Sequence, residues 1–542
     1  MIIKRNTKTT AQTKVNITLS FKSVTRLVLA LILTLTLTLT ALTLVACGTE
    51  ADVVNSKNSS GADISDGLSQ TASESTSSQG VDSSEEDYLY GSNLEVKNLQ
   101  GRVINVLCRD WGGFSIQGYN GEIIQREDFD EKEADAVDIA KYEVRKLIEE
   151  RYNCKIKGSL DKSAPVDFNN KVRNMVHGGT KAYDIVFDAY GHSNPLVTEG
   201  IYIDLYSVDS IDFSNPWWDQ NAVKDLSICN KLFFACGDIN TYDNDGTWVL
   251  YFNKQLLAKT LPDINLYNLV ENNQWTFDKF AEICKFVSSD TDGIDGMNEF
   301  DTWGLGTETY NVYVHVIASG QKICQKNNDD EPYFSYQTES MYNVLDDVLD
   351  LYLDDSKVMV ANGGKYNHYT NVWDDTIIKA FREGRELFYM GGLINAVSYR
   401  QLEFSYGILP IPKYLSSQDN YNHSVSFHNM SCMMIPKGES EEEYYELGLV
   451  IEALGAESKN YLTPVYYEKA LKAKNADTEE DEAMLDIIFN SRCFDLGAAF
   501  NWGNIISEFM KLDVNFVSRF DSTAESIKQA MENTIEAIKN NN

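Results

Sequence analysis

Between residues 102 and 187 the hydrophobic pattern switches repeatedly between a strand period and a helix period, and this alternation restricts the fold more than any other stretch. Residues 102–108 are β-branched and apolar and read as a buried strand, followed by a loop at Arg109-Asp110-Trp111-Gly112-Gly113. Ala134, Val137, Ile139, Ala140, Val144, Leu147 and Ile148 then recur at helical spacing up to Tyr152. A second strand begins at 154–156, a second helix covers 168–176, and a third strand at 183–187 ends in Asp188-Ala189-Tyr190. This β-α-β-α-β order implies a mainly parallel sheet with helices on both faces. Ligands bind such sheets at the carboxyl ends of the strands, which puts Trp111, Asp188 and Tyr190 on the expected edge.

Beyond this unit the pattern changes. Residues 226–229 and 232–235 flank Asn230-Lys231 like a hairpin, and 247–252 reads as another strand. Thr276 is an expected N-cap for a helix over 277–286, with Lys279 where a capping-box Glu would be ideal. Amphipathic helices are predicted at 310–319, 340–353 and 372–382, before strands at 386–390 and 404–409. An extended apolar stretch at 424–435 then leads into helices at 440–455, 481–489 and 517–538. A second α/β lobe follows from this order, and the late return of the chain makes each lobe discontinuous.

The N-terminal residues stand apart from this pattern. Lys4, Arg5, Lys8, Lys14, Lys22 and Arg26 precede an apolar run from Leu27 to Ala46, with no acidic residue before Glu50. The run ends in Leu44-Val45-Ala46-Cys47, which reads as a bacterial lipobox: small Ala46 permits cleavage and the Cys47 thiol takes the lipid. An uncleaved anchor is the competing reading, since about 20 apolar residues can span a bilayer. The following Ser, Thr, Gly, Asn and Asp up to position 87 bury too little apolar area to fold and suit a tether behind a lipid anchor. The expected organisation is 1–46 signal peptide, 47–92 lipidated cysteine and tether, 93–245 plus about 430–500 one lobe, and 246–429 plus about 501–542 the other. The expected location is the extracytoplasmic face of the cell membrane, held by lipid alone.

The formal charge is −34 and falls further once the basic leader is removed, so a nucleic-acid partner, which needs clustered Lys and Arg, is not expected. Eight cysteines follow Cys47, widely spread and without CxxC pairs, and read as free buried thiols, with a Cys229–Cys236 bridge as the alternative. The six histidines form no HExxH or zinc spacing.

Several phrases together resemble the family 1 extracellular solute-binding proteins of ABC importers, in particular the large lipoprotein members of Gram-positive bacteria. They are Asn215-Pro216-Trp217-Trp218-Asp219-Gln220 with Gly237-Asp238, Tyr251-Phe252-Asn253-Lys254, Trp275-Thr276-Phe277 leading to Asp290-Thr291-Asp292-Gly293, Tyr406-Gly407-Ile408-Leu409-Pro410-Ile411-Pro412-Lys413, and Pro464-Val465-Tyr466-Tyr467 with Met484-Leu485-Asp486. The resemblance implies a two-lobed, type II periplasmic-binding-protein-like α/β fold whose discontinuous lobes are joined by hinge strands near 251–253 and 430–435. It also implies a carbohydrate ligand captured by closure, ABC permease subunits as partners, a monomer, and no catalysis.

A sugar cleft needs hydrogen-bonding Asp and Asn together with aromatic rings for the apolar face of the pyranose. Trp111, Asp188, Tyr190, Asp238, Trp248, Tyr310, Trp373, Asn395 and Trp502 are the candidates, chosen for loop or strand-end positions, and each also reads as core. The acidic loop after Phe286 offers Asp290, Asp292, Asp295 and Asp301 as calcium ligands, although Asp295-Gly296 arrives one residue late for an EF-like loop and a solvated turn reads equally well. No G-x-S-x-G, P-loop or G-x-G-x-x-G motif is present. A carboxylate-pair glycosidase and a sensing lipoprotein without an importer are the alternatives to be separated by experiment.

Overall fold

In the computed structural model the strand Arg102–Arg109 is one of the two inner members of a four-stranded sheet, with Cys154–Asp161 on one side and Ile185–Asp188 on the other. Both neighbours run parallel to it, in register Arg102↔Cys154 and Val106↔Ile185. Cys432–Met434 closes the far edge antiparallel to Ile185–Asp188. The described residues are 89–110, 121–123, 134–399, 401–471 and 479–541. They lie in the compact unit Ser84–Asn542. Cys47, residues 48–88 of the expected tether and Trp111 lie outside the described residues, whereas the last residues of that tether are held to the body, the Tyr90 amide donating to Asn460 Oδ1 at 2.9 Å.

The first crossover helix, Ala136–Tyr152, starts where the Asp135 carboxylate accepts from the Val137 and Asp138 amides and stops at left-handed Asn153. Val137, Ala140, Val144, Ile148 and Tyr152 form its buried stripe. The second, Pro165–His177, uses Pro165 in its first turn, where the missing amide hydrogen costs nothing.

The second sheet has five strands in the order Tyr406–Leu409, Trp248–Asn253, Glu386–Gly392, Trp303–Thr307, Val358–Val360. Trp248–Asn253 is antiparallel to both of its neighbours, whereas Trp303–Thr307 is parallel to both of its own. Thr276 caps Phe277–Val287 as expected, its hydroxyl accepting from the Lys279 amide.

Two local expectations change. The hairpin around Asn230-Lys231 shrinks to a single bridge between Ile228 and Lys231, because Cys229 and Asn230 both take left-handed backbone and Ala235 pairs instead with Met433. The helix expected over 372–382 opens as a π turn, Trp373–Ile377, before the α-helix Ile378–Arg382.

Trp248–Asn253 carries the chain into the second sheet and 425–434 carries it back. The late helices then divide between the two. Glu441–Glu457, closed by a Ser440/Glu443 capping box, packs on Ala136–Tyr152, whereas Glu479–Asn490 packs on the edge strand Tyr406–Leu409. Phe516–Asn540 packs on the helix Tyr190–Thr198. No described helix is long and apolar enough to cross a membrane.

Candidate functional site

Residues 425–428 touch the carboxyl ends of both sheets. Tyr190, just past the first-sheet strand, donates its hydroxyl to the Val425 carbonyl at 3.2 Å, and the Gly191 amide donates to the Phe427 carbonyl at 3.0 Å. A Cβ on Gly191 would stand 2.5 Å from that carbonyl oxygen, so only glycine permits the approach. On the other side Thr247 bridges to Val425, and the Tyr310 ring lies 5.9 Å from that of Phe427.

At the first-sheet edge, Arg109 Nε donates to Asp188 Oδ1 at 2.6 Å and Ser193 donates to Asp188 Oδ2 at 2.9 Å, all three side chains being buried. Arg109 also reaches His192 Nδ1 at 2.8 Å, and His192 Nε2 lies 3.0 Å from Nδ1 of the exposed His428. Crowding of one side of the His428 ring, with the positive charge of Arg109 nearby, pushes its imidazole down to about 4.

At the second-sheet edge the Trp248 and Tyr310 rings lie 5.3 Å apart, and both the Trp248 Nε1 and the Tyr310 hydroxyl are buried. Trp373, 40% exposed, donates its Nε1 to Glu308 Oε2 at 2.8 Å. Burial raises the Glu308 carboxyl, and the Trp373 donor works against that rise. Trp248 pairs with Gly392, so half-buried Asn395, three residues on, belongs to the same edge.

Asp188, Tyr190, Trp248 and Tyr310 therefore gather around 425–428, with Trp373 joined through Glu308 and Asn395 just beyond Gly392 at the same sheet end, although Tyr190 is a core ring between Phe234 and Phe494. Two candidates lie elsewhere. Asp238 pairs with Lys459 at 3.2 Å and lines a separate cavity of about 420 Å³ with Trp217, Asp219 and Arg492. Trp502 is buried, stacked on Phe500 at 5.2 Å and bonded to the Thr534 hydroxyl at 2.9 Å. Reading from sequence missed Arg109, His192, Glu308 and His428. Arg109 ends one strand and Glu308 directly follows another, so both were open to the strand-end argument; His428 lies in a run taken as apolar.

A cavity of about 1050 Å³ lies at the opposite edge of the second sheet, lined by Asn253, Arg382, Glu383 and Phe404 among others, away from the strand ends that hold Trp248 and Glu308. In the acidic loop Asp290, Asp292 and Asp301 carry carboxylate oxygens within 4.8 Å of one another, and Asp295 is not in the group. Asp301 accepts from the Thr291, Asp292 and Asn298 amides, Asp292 from Ile294 and Asn298, and Asp290 from Gly296. The turn is thus braced by its own donors. The eight described cysteines are free thiols.

No curated protein matches this sequence. Among solved structures the chain is similar to UspC of M. tuberculosis, with a TM-score of 0.50 and 14% identity, covering 80% of this chain and 100% of that one. It is also similar to the ABC substrate-binding protein Lmo0181 of Listeria monocytogenes in complex with cycloalternan (TM-score 0.49, 14% identity, 81% and 99% covered). A third is the maltose-binding periplasmic protein MalE of the same organism in complex with maltose (TM-score 0.48, 13% identity, 81% and 98% covered). The fold shared with the first of these is the two-lobed α/β architecture expected from the sequence. The profile of the bacterial extracellular solute-binding proteins matches residues 144–446, more than half of the chain, and the chain belongs to that family.

Proposed function

We propose that this protein is the lipid-anchored binding subunit of an ABC importer that captures a carbohydrate, in particular an oligosaccharide, between its two lobes and hands it to a permease. The observation that carries the reading is the convergence on 425–428. One sheet end brings Asp188, Arg109, His192 and His428, the other brings Trp248, Tyr310, Glu308 and Trp373, and Gly191 and Tyr310 both touch Phe427. Exposed indole beside carboxylate and imidazole is the chemistry that takes the apolar face and the hydroxyls of a pyranose.

The crossing strands supply the mechanism. Both run through the site, so a ligand touching both edges stabilises the closed arrangement by its differential contacts, and that arrangement is what a permease would read. No step requires bond cleavage. The lipid on Cys47 and the tether keep the receptor at the membrane while leaving it free to sample solute.

The test is calorimetry on protein lacking residues 1–47 against a panel including maltose, maltotriose and cyclic oligosaccharides, with chromatography of the solute afterwards. Saturable binding with the sugar recovered intact is expected. Binding only to peptides would overturn the substrate class, and released monosaccharide would overturn the absence of catalysis. Globomycin sensitivity of the leader cleavage tests the anchor.

A further inference from the structure

The hydrogen-bond chain at the first-sheet edge has a direction. Arg109 can only donate, and its guanidinium lies 2.8 Å from His192 Nδ1, so that nitrogen carries a lone pair. The same nitrogen is 3.9 Å from Asp188 Oδ1, too far to donate to it. With Nδ1 accepting from Arg109, the N–H of the His192 ring is the one on Nε2. That Nε2–H points at His428 Nδ1, 3.0 Å away, which must accept. The two rings lie 26° from parallel with centroids 4.9 Å apart, so the contact between them is close. The proton of His428 is thereby left on Nε2, which makes no hydrogen bond among the described residues on a ring that is exposed.

Resting on the sugar-binding reading above, we infer that His428 is a specificity-determining residue: its Nε2–H, fixed outward by the relay Asp188–Arg109–His192, donates to an acceptor oxygen of the solute, a hydroxyl or ring oxygen of a neutral sugar. Arg109 and His192 are positioning residues. A lone histidine would divide its proton between two nitrogens and offer water a rotating ring. Here the donor is set before the ligand arrives, so little ordering cost remains at binding. The relay also keeps the Nδ1 of His428 as an acceptor, because a proton there would face the His192 N–H. The register that brings the two rings together depends on the Gly191–Phe427 contact.

Two measurements test this separately. Nitrogen-15 correlation spectra of the imidazoles in the ligand-free protein should show both His192 and His428 protonated at Nε2, and His192→Phe should restore an Nδ1–H population at His428. An Nδ1–H signal from either ring in the wild type overturns the relay without reference to any ligand. Titration with the best neutral oligosaccharide of the panel should show affinity lowered about tenfold by His428→Ala, the worth of one hydrogen bond. His428→Gln, which keeps an outward N–H donor, should stay within about threefold, and unfolding midpoints control for folding. Wild-type affinity in His428→Ala overturns the ligand role. If no sugar binds the wild type, the sugar reading and the ligand role both fall, while the spectra still decide the relay.

Discussion

Trp218 Nε1 donates to Glu452 Oε1 at 2.8 Å, and the neighbouring Trp217 donates to Oε2 of the same carboxylate at 3.0 Å. The Asp212 amide and the Asn215 side chain complete four donors around a group 2% exposed. Burial raises this carboxyl and the donors oppose the rise, so a loop is fastened to the helix Glu441–Glu457 through an anion rather than an ion pair. Glu452→Gln replaces one acceptor oxygen with an amide that points N–H at N–H. A loss of about 1–3 kcal/mol in urea unfolding is expected. Unchanged stability would mean that the indoles are held by packing alone.

Glu386 is the opposite case. It is fully buried, neither oxygen has a hydrogen-bond partner among the described residues, and its carboxyl fits only because residue 306 is glycine, where a Cβ would lie 2.2 Å from Oε2. Burial lifts its pKa well above the ordinary value. A folded-state pKa above the unfolded one means stability that is present at low pH and lost as pH rises through the folded value. Glu386→Gln removes that loss, so the variant should gain on the wild type at pH 8, by about 1–3 kcal/mol, and the gain should shrink toward pH 4. Guanidine unfolding at the two pH values checks it, and parallel curves would show that Glu386 is not protonated on folding.

Much of the first sheet was legible because strand and helix alternate with clean periods: 102–108, 154–156 and 183–187 all became strands within a few residues of the reading. Local chemistry was legible where one side chain decides it, as at Thr276. What was hidden depends on contacts distant in sequence. Leu232 to Ala235 have strand composition, yet their partner is Met433, so no local turn rule could place them. Trp373 and Trp502 are alike as residues in loops, and only the fold separates an indole bonded to Glu308 at the site edge from one buried against Thr534. His428 was missed because its partner His192 lies 236 positions away.

The acidic loop yields a third prediction. Asp301 is buried and its carboxyl, which burial alone would raise, is held below the ordinary range by the Thr291, Asn298 and Asp292 amides, with Arg385 adding its charge. Since these donors already brace Asp290, Asp292 and Asp301, the unfolding midpoint should be the same in millimolar calcium and in chelator, and Asp301→Asn should cost about 1–3 kcal/mol in both. A midpoint raised by calcium and lost in Asp301→Asn would instead assign the cation to this turn.

Trp373 is the exposed indole of the proposed site. It opens a π turn, a form that aims a side chain differently from an α-helix, and its Nε1 is engaged by Glu308, so the indole is oriented before any ligand binds. Trp248 and Tyr310, at 5% and 8% exposure, form the floor rather than the contact. Trp373→Ala should therefore weaken sugar affinity by about 1–3 kcal/mol, roughly tenfold to a hundredfold, without lowering the unfolding midpoint, whereas Trp248→Ala should lower both. Glu308→Gln keeps an oxygen that can accept from the indole and should lie between Trp373→Ala and the wild type. Calorimetric titration of the variants with the best oligosaccharide separates these outcomes: equal affinity in Trp373→Ala and wild type would move the stacking surface away from this edge.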